Sequence, residues 1–191
     1  MQVMDENQKM PFVYFKPKLN KPFHPTTGSF QARAVVSTIR GPLYAFDKYL
    51  SRITSPITTV LPDLLKNTNH FIARISIASS ASKLAGKPGI CCLEGHLSEH
   101  IGFATADVVD LFSSIDIKLG VAAAHRVYSE TYGWLCYKYQ QQQHLPPVDP
   151  ETFRHLLEFV LSNTHFSYQN KLFYKQKGIP IGGCITPFVA N

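Results

Sequence analysis

Tyr174-Lys175-Gln176-Lys177-Gly178-Ile179-Pro180-Ile181-Gly182-Gly183-Cys184-Ile185-Thr186-Pro187 is a glycine-rich turn that feeds a new element. Gly178, Gly182 and Gly183 allow the backbone to adopt positive φ or to approach a ligand closely. Pro187 stands where a following helix would begin its first turn. A glycine turn running into a helix suits contact with a phosphate or a base pair. It also serves as a tight turn with no ligand at all.

Working outward, Phe166-Ser167-Tyr168 and Leu172-Phe173-Tyr174 flank Gln169-Asn170, which predicts a hairpin. Upstream of it, Asp149 is a good N-cap and Pro150 a good first helical residue. Phe153, Leu156, Leu157, Val160 and Leu161 then fall on one helical face, and Asn163 ends the pattern. A further helix is predicted over about 118–140, frayed by the glutamine tract and ended by Pro146-Pro147.

Before that helix, Phe103-Ala104-Thr105-Ala106-Asp107-Val108-Val109-Asp110-Leu111-Phe112 places a carboxylate in an apolar run, and residues 103–109 read as a buried strand. A carboxylate there is costly unless it is paired or metal-bound. Hard divalent metals take carboxylate oxygens, so Asp107 is a candidate metal ligand; it also reads as the cap of the turn that follows. Asp110 and Asp116 are less constrained. Phe112 is placed to lie under the sugar of a nucleotide, where its bulk would clash with a 2′-hydroxyl, and it reads equally as a core aromatic.

Toward the N-terminus, residues 11–27 are rich in proline, lysine and aromatics, and the prolines forbid a helix. Gly28-Ser29 leads into Ala34-Val35-Val36, a predicted strand. Pro42 suits a first helical turn, and Leu43, Phe46, Leu50 and Ile53 recur at helical spacing. A second helix is expected around 57–67, interrupted by Pro62; Phe71 to Ile77 reads as a strand or a helix end, and 79–89 as a loop. Arg33 is the candidate triphosphate contact, since a guanidinium holds phosphate oxygens bidentately. Lys18 and Lys21 share a basic arm with it, and each of the three also reads as a solvated surface cation.

The 191 residues fit one domain or a domain and part of another, and 45% hydrophobic content supports a core rather than disorder. Nineteen Lys and Arg against 13 Asp and Glu leave a net charge of +6, which is compatible with a nucleic-acid partner without requiring one. Cys91, Cys92, Cys136 and Cys184 show no framework spacing, so free thiols are expected. His96 and His100 follow Cys91-Cys92, but adjacent cysteines do not make the usual zinc knuckle, and surface histidines are the plainer reading. No apolar run approaches the ~20 residues of a membrane span, and no targeting leader is visible in the polar start, so secretion is not expected.

Taken in order, these segments resemble reverse transcriptases, most closely the Penelope-like retroelement branch. Tyr14-Phe15-Lys16-Pro17-Lys18-Leu19-Asn20-Lys21-Pro22 is similar to that family's Y-x-x-P-K-x-H-K-P arm, with Asn20 in place of His. Arg33-Ala34-Val35-Val36-Ser37 resembles R-P-I-V-S, and Asp107-Val108-Val109-Asp110-Leu111-Phe112-Ser113-Ser114-Ile115 resembles D-V-x-x-L-Y-T-x-I. Leu161-Ser162-Asn163-Thr164-His165-Phe166 is similar to L-x-N-x-x-F. The opening stretch, with Ala190-Asn191, is similar to Y-x-Q-x-x-G-x-x-M-G followed by P-x-x-A-N, with Ile181 in place of Met.

The resemblance implies an α+β fold: a partial fingers-and-palm polymerase domain with a small antiparallel sheet and packed helices. It divides the chain into a disordered start over 1–10, fingers and connection over 11–101, and a partial palm over 102–191. It implies that Asp107 is catalytic and binds Mg²⁺ or Mn²⁺, and that Arg33, Lys18, Lys21, Val108 and Phe112 contact the nucleotide. Gln176, Gly178, Gly182, Gly183 and Pro187 would meet the template–primer. RNA template, DNA primer and deoxynucleoside triphosphate are the implied partners, in the nucleus or, less favoured, the cytoplasm. The family follows its glycine turn with a hairpin bearing two adjacent aspartates, and no Asp-Asp pair occurs in this sequence. Two-metal chemistry needs carboxylates on both ions. The expectation is therefore a polymerase fragment that is inactive alone, with uncovered strand edges that favour self-association; the alternative is a non-catalytic nucleic-acid-binding remnant.

Overall fold

Asp149 opens its helix as its residue type predicts: the carboxylate Oδ1 accepts from the Thr152 N–H at 3.0 Å, and Pro150 follows in the first turn. The structure is a computed structural model that describes residues 9–18, 23, 26, 28–61, 67–74, 108, 110–141 and 146–191. The chain divides into two units, one of Met1–Val60 with Asp110–Asn191 and one of Leu61–Val109.

In the first unit the elements run β1 (Phe12–Pro17), β2 (Ala32–Ser37), α1 (Tyr44–Thr58), and then, after the second unit, α3 (Leu111–Ser114), α4 (Ile117–Gln141), α5 (Pro150–Ser162), β3 (His165–Tyr168), β4 (Lys171–Tyr174) and α6 (Thr186–Ala190). In the second unit, residues 68–74 form a helical run, α2. That resolves the ambiguous Phe71 segment toward helix as far as residue 74. The 79–89 loop, the cysteine–histidine cluster and residues 103–107 lie outside the described residues. Val108 is exposed and in no regular element, whereas the apolar run around it predicted burial.

The fold is α+β. Its four strands are ordered β2-β1-β3-β4. The sheet is mixed rather than antiparallel throughout, because β3 pairs β1 in parallel through Phe12 and Ser167. The chain reaches β3 only after several helices, and a long connection of that kind permits a parallel return. The proline-rich arm holds β1, paired antiparallel with β2 from Phe12–Ser37 to Pro17–Ala32. The β3–β4 hairpin turns at Gln169 and Asn170 with φ of 48° and 58°, the geometry that a tight two-residue turn requires.

Helix α1 runs on through Pro56 to Thr58 where a break and a second helix were expected. Proline lacks the N–H that would bond the carbonyl four residues back. Here the Tyr139 hydroxyl donates to that carbonyl, Arg52 O, at 2.9 Å, so the vacant acceptor is satisfied from α4. Tyr128 likewise donates to Val148 O at 2.7 Å and stacks on Phe153 with ring centroids 3.9 Å apart. Leu50, Ile53, Ile57, Leu135, Leu157 and Leu161 complete a buried helical core.

Candidate nucleotide cleft

Two glycines position the turn that opened the sequence. Gly182 has φ +117°, and a Cβ there would lie 2.4 Å from Val36 O. The turn therefore lies directly on β2, and the Val36 N–H donates to Ile181 O at 2.8 Å. Gly178 has φ +72°, and a Cβ there would meet Phe112 O and Ser113 Cα at 2.6 Å. The Ile179 N–H donates to Phe112 O at 2.8 Å. Only glycine permits both approaches. One short segment thus bridges β2, which carries Arg33, and α3, which carries Phe112.

Between them lies a cleft of about 170 Å³, lined by Lys18, Arg33, Asp110, Ser113, Lys175 and Ile181 over a floor of Val13, Ala32, Ala34, Val36 and Phe166. Lys18 Nζ stands 3.8 Å from Asp110 Oδ1. Burial lowers the Lys175 pKa, so this ammonium gains from an anion placed against it. Strand alternation starts the Arg33 side chain on the opposite sheet face, in register with Lys16.

The cleft opens onto a sheet face rich in aromatic rings. Phe15 and Tyr168 meet edge to face at 5.9 Å, and Phe166 stacks on Phe173 at 5.7 Å. Phe15 is 54% exposed, and Lys171 lies in register with Tyr168. Such a face offers stacking surface beside positive charge.

The other sequence candidates distribute as follows. Phe112 is half-buried, with its carbonyl tied to the glycine turn. Gln176 and Pro187 are exposed. Gly183 faces away from the cleft, toward Thr186 and Asp47. Val108 belongs to the other unit. Asp107 and Lys21 lie outside the described residues.

Lys175 and Asp47 escaped the sequence reading. Lys175 had a signal, since it falls in the quoted stretch directly after the hairpin. Asp47 had none beyond its place in the first turn of α1. It is buried and accepts from the Cys184 N–H at 2.8 Å, the Ile185 N–H at 2.9 Å and the Thr38 hydroxyl at 3.2 Å. It fixes the far end of the turn. Burial, and next the Asp47 charge, push the Cys184 thiol up. Cys184 and Cys136 are free thiols.

Among the described residues no three His, Cys, Asp or Glu side chains cluster as a metal site. Among the described lining residues the one carboxylate, Asp110, is engaged with Lys18, and one carboxylate is too few for a two-ion centre. Asp107, the expected ligand, lies outside the described residues, and no step is derived through Mg²⁺. No helix among them is long and apolar enough to cross a membrane. Comparison with protein-family models, curated proteins and solved structures gave no match to this chain.

Proposed function

We propose that this chain is the nucleotide- and template-handling portion of an RNA-directed DNA polymerase, of the kind that Penelope-like retroelements carry. On this reading it corresponds to a fingers region with the start of a palm. The observation that carries the proposal is the meeting of Lys18 and Lys175 at one cleft whose wall is the glycine turn at Ile181, with Arg33 on the bordering strand. The two ammonium groups there would meet triphosphate oxygens, and the Arg33 guanidinium would join them only by reaching round the edge strand β2. Phe112, held against Gly178, would sit at the sugar. The open aromatic face, with Phe15, Tyr168 and Phe173, would receive unpaired template bases by stacking.

Polymerisation by these residues alone is not part of the proposal, since the sequence holds no adjacent aspartate pair. What they would do alone is bind nucleic acid through charge and stacking. Fluorescence anisotropy with a labelled RNA–DNA hybrid carrying an unpaired RNA overhang tests this. Affinity is expected to fall steeply with salt, and Lys175→Ala is expected to reduce the slope by about one. Salt-independent binding, or none, would overturn the reading. Primer extension on poly(rA)–oligo(dT) with Mg²⁺ or Mn²⁺ is expected to give no incorporation.

A further inference from the structure

A second space lies behind the glycine turn. The cleft touches the turn at Ile181, while Pro180, Gly183, Ile185 and Thr186 line a cavity of about 290 Å³ on its other side. Most of its remaining wall is apolar, with Met10, Pro11, Leu43, Phe159 and Leu172 contributing. Among the described lining residues there is no lysine and no arginine, yet the buried carboxylate of Asp47 is one of them.

Two polar groups meet at this end of the cavity. Thr186 is 1% exposed, and its Oγ1 has no hydrogen-bond partner among the described residues. A buried hydroxyl left unpaired is unfavourable and calls for a partner. Asp47 accepts three donors, Thr38 and Cys184 on Oδ2 and Ile185 on Oδ1. A carboxylate has about four acceptor directions, and the Cys184 thiol also bonds to this one, so what Asp47 offers the cavity is its negative charge. Gly183 makes the two groups neighbours: a Cβ there would lie 2.6 Å from Thr186 Oγ1 and 3.6 Å from Asp47 Oδ2. The bare Cα leaves room for both.

We propose that this cavity binds a small primary amine with an apolar body. An ammonium carries only donors, and it would meet the lone pairs of Thr186 Oγ1 beside the Asp47 charge. It also supplies a permanent positive charge, which the described lining lacks, His165 being its one imidazole. The volume stands at the lower end of small-molecule pockets, enough for one ring and a short chain. A carboxylic acid would set like charge against Asp47. An alcohol would satisfy Thr186 and leave the Asp47 charge without a counterion. The inference concerns a different cavity from the nucleotide cleft and stands whether or not that cleft binds a triphosphate.

Calorimetric titration of the 191-residue chain with 2-phenylethylamine, 2-phenylethanol and phenylacetate tests it. Saturable binding of the amine is expected, at least tenfold tighter than the alcohol, with none of the acid. Thr186→Val keeps the side-chain shape and removes the orphan hydroxyl, so the melting temperature should hold or rise while amine affinity falls about tenfold. Leu172→Arg places a cation at the exposed mouth and should weaken the amine without unfolding the chain. No saturable amine binding, equal affinity for the alcohol or acid, or amine affinity unchanged in both variants would each overturn the assignment.

Discussion

The helical layer and the sheet use their aromatic residues in opposite ways. In α4 and α5, Tyr128 and Phe153 are wholly buried and lie face to face at 3.9 Å with an interplanar angle of 6°. The polar end of Tyr128 is satisfied by Val148 O. On the sheet, Phe15 contacts Tyr168 and Phe166 contacts Phe173, yet Phe15, Tyr168 and Phe173 remain exposed to solvent. Burial of a large ring stabilises a fold in proportion to the area removed from water. Rings left open contribute less to that and more to whatever docks on them. The difference places buried-ring stabilisation in the helices and leaves open rings on the sheet.

Phe153→Ala is the largest expected break in that division. It removes a fully buried ring and leaves Tyr128 facing a void. The expected cost is about 3–5 kcal/mol in urea unfolding. A loss below about 1 kcal/mol would mean that the helical core collapses around the deletion and is not the seat of stability.

Gly182→Ala tests the join between the two regions. Its φ of +117° strains any side chain, and the new Cβ would press on the Val36 carbonyl at 2.4 Å. Strain of this kind costs about 1–3 kcal/mol, and the backbone clash adds to it. The same substitution is expected to weaken hybrid binding, because the turn walls the cleft at Ile181. Unfolding and anisotropy measured on the same protein separate the two effects. Full binding at reduced stability would detach the turn from recognition.

Phe15→Ala sharpens the comparison from the sheet side. The ring is 54% exposed, so stability should stay within about 0.5 kcal/mol of the parent. Affinity for an unpaired RNA overhang should drop about tenfold, in line with the loss of one stacked base. The reverse outcome, lost stability with intact binding, would make Phe15 a core residue of a surface that another part of the chain covers.

Much of the helical layer could be read from the sequence, because its signals are local. The Asp149-Pro150 start, the apolar face through Leu161 and the hairpin at Gln169-Asn170 all appear as their residue types predict. The continuation of α1 through Pro56 was not legible. It depends on the Tyr139 hydroxyl, which arrives from a helix far along the chain. The strand inside the proline-rich arm was hidden for a related reason. β1 lies between β2 and β3, and its identity comes from those partners rather than from its own pattern. At the cleft, the glycines showed themselves by residue type, whereas the role of Asp47 became visible only once α1 met the turn.

The smallest effect concerns the start of α5, where helix stability is tuned by one exposed cap. The Thr152 hydroxyl and then the Thr152 N–H hold the Asp149 carboxyl below its ordinary range. A carboxylate whose folded pKa is depressed contributes stability above its unfolded pKa, near 3.8 here, and loses it as pH falls through the folded value. Glu151 is lowered in the same direction, chiefly by its hydrogen bond from Arg154, so the two losses fall in the same acid window. Thermal unfolding scanned from pH 5 to about pH 2 should therefore show a declining melting temperature. Asp149→Asn keeps a capping oxygen but cannot titrate, and should lose part of that slope and approach the parent at the acid end of the scan. An unchanged slope would move the acid sensitivity away from α5, and a large drop at neutral pH would show that charge, rather than the hydrogen bond to Thr152, carries the cap.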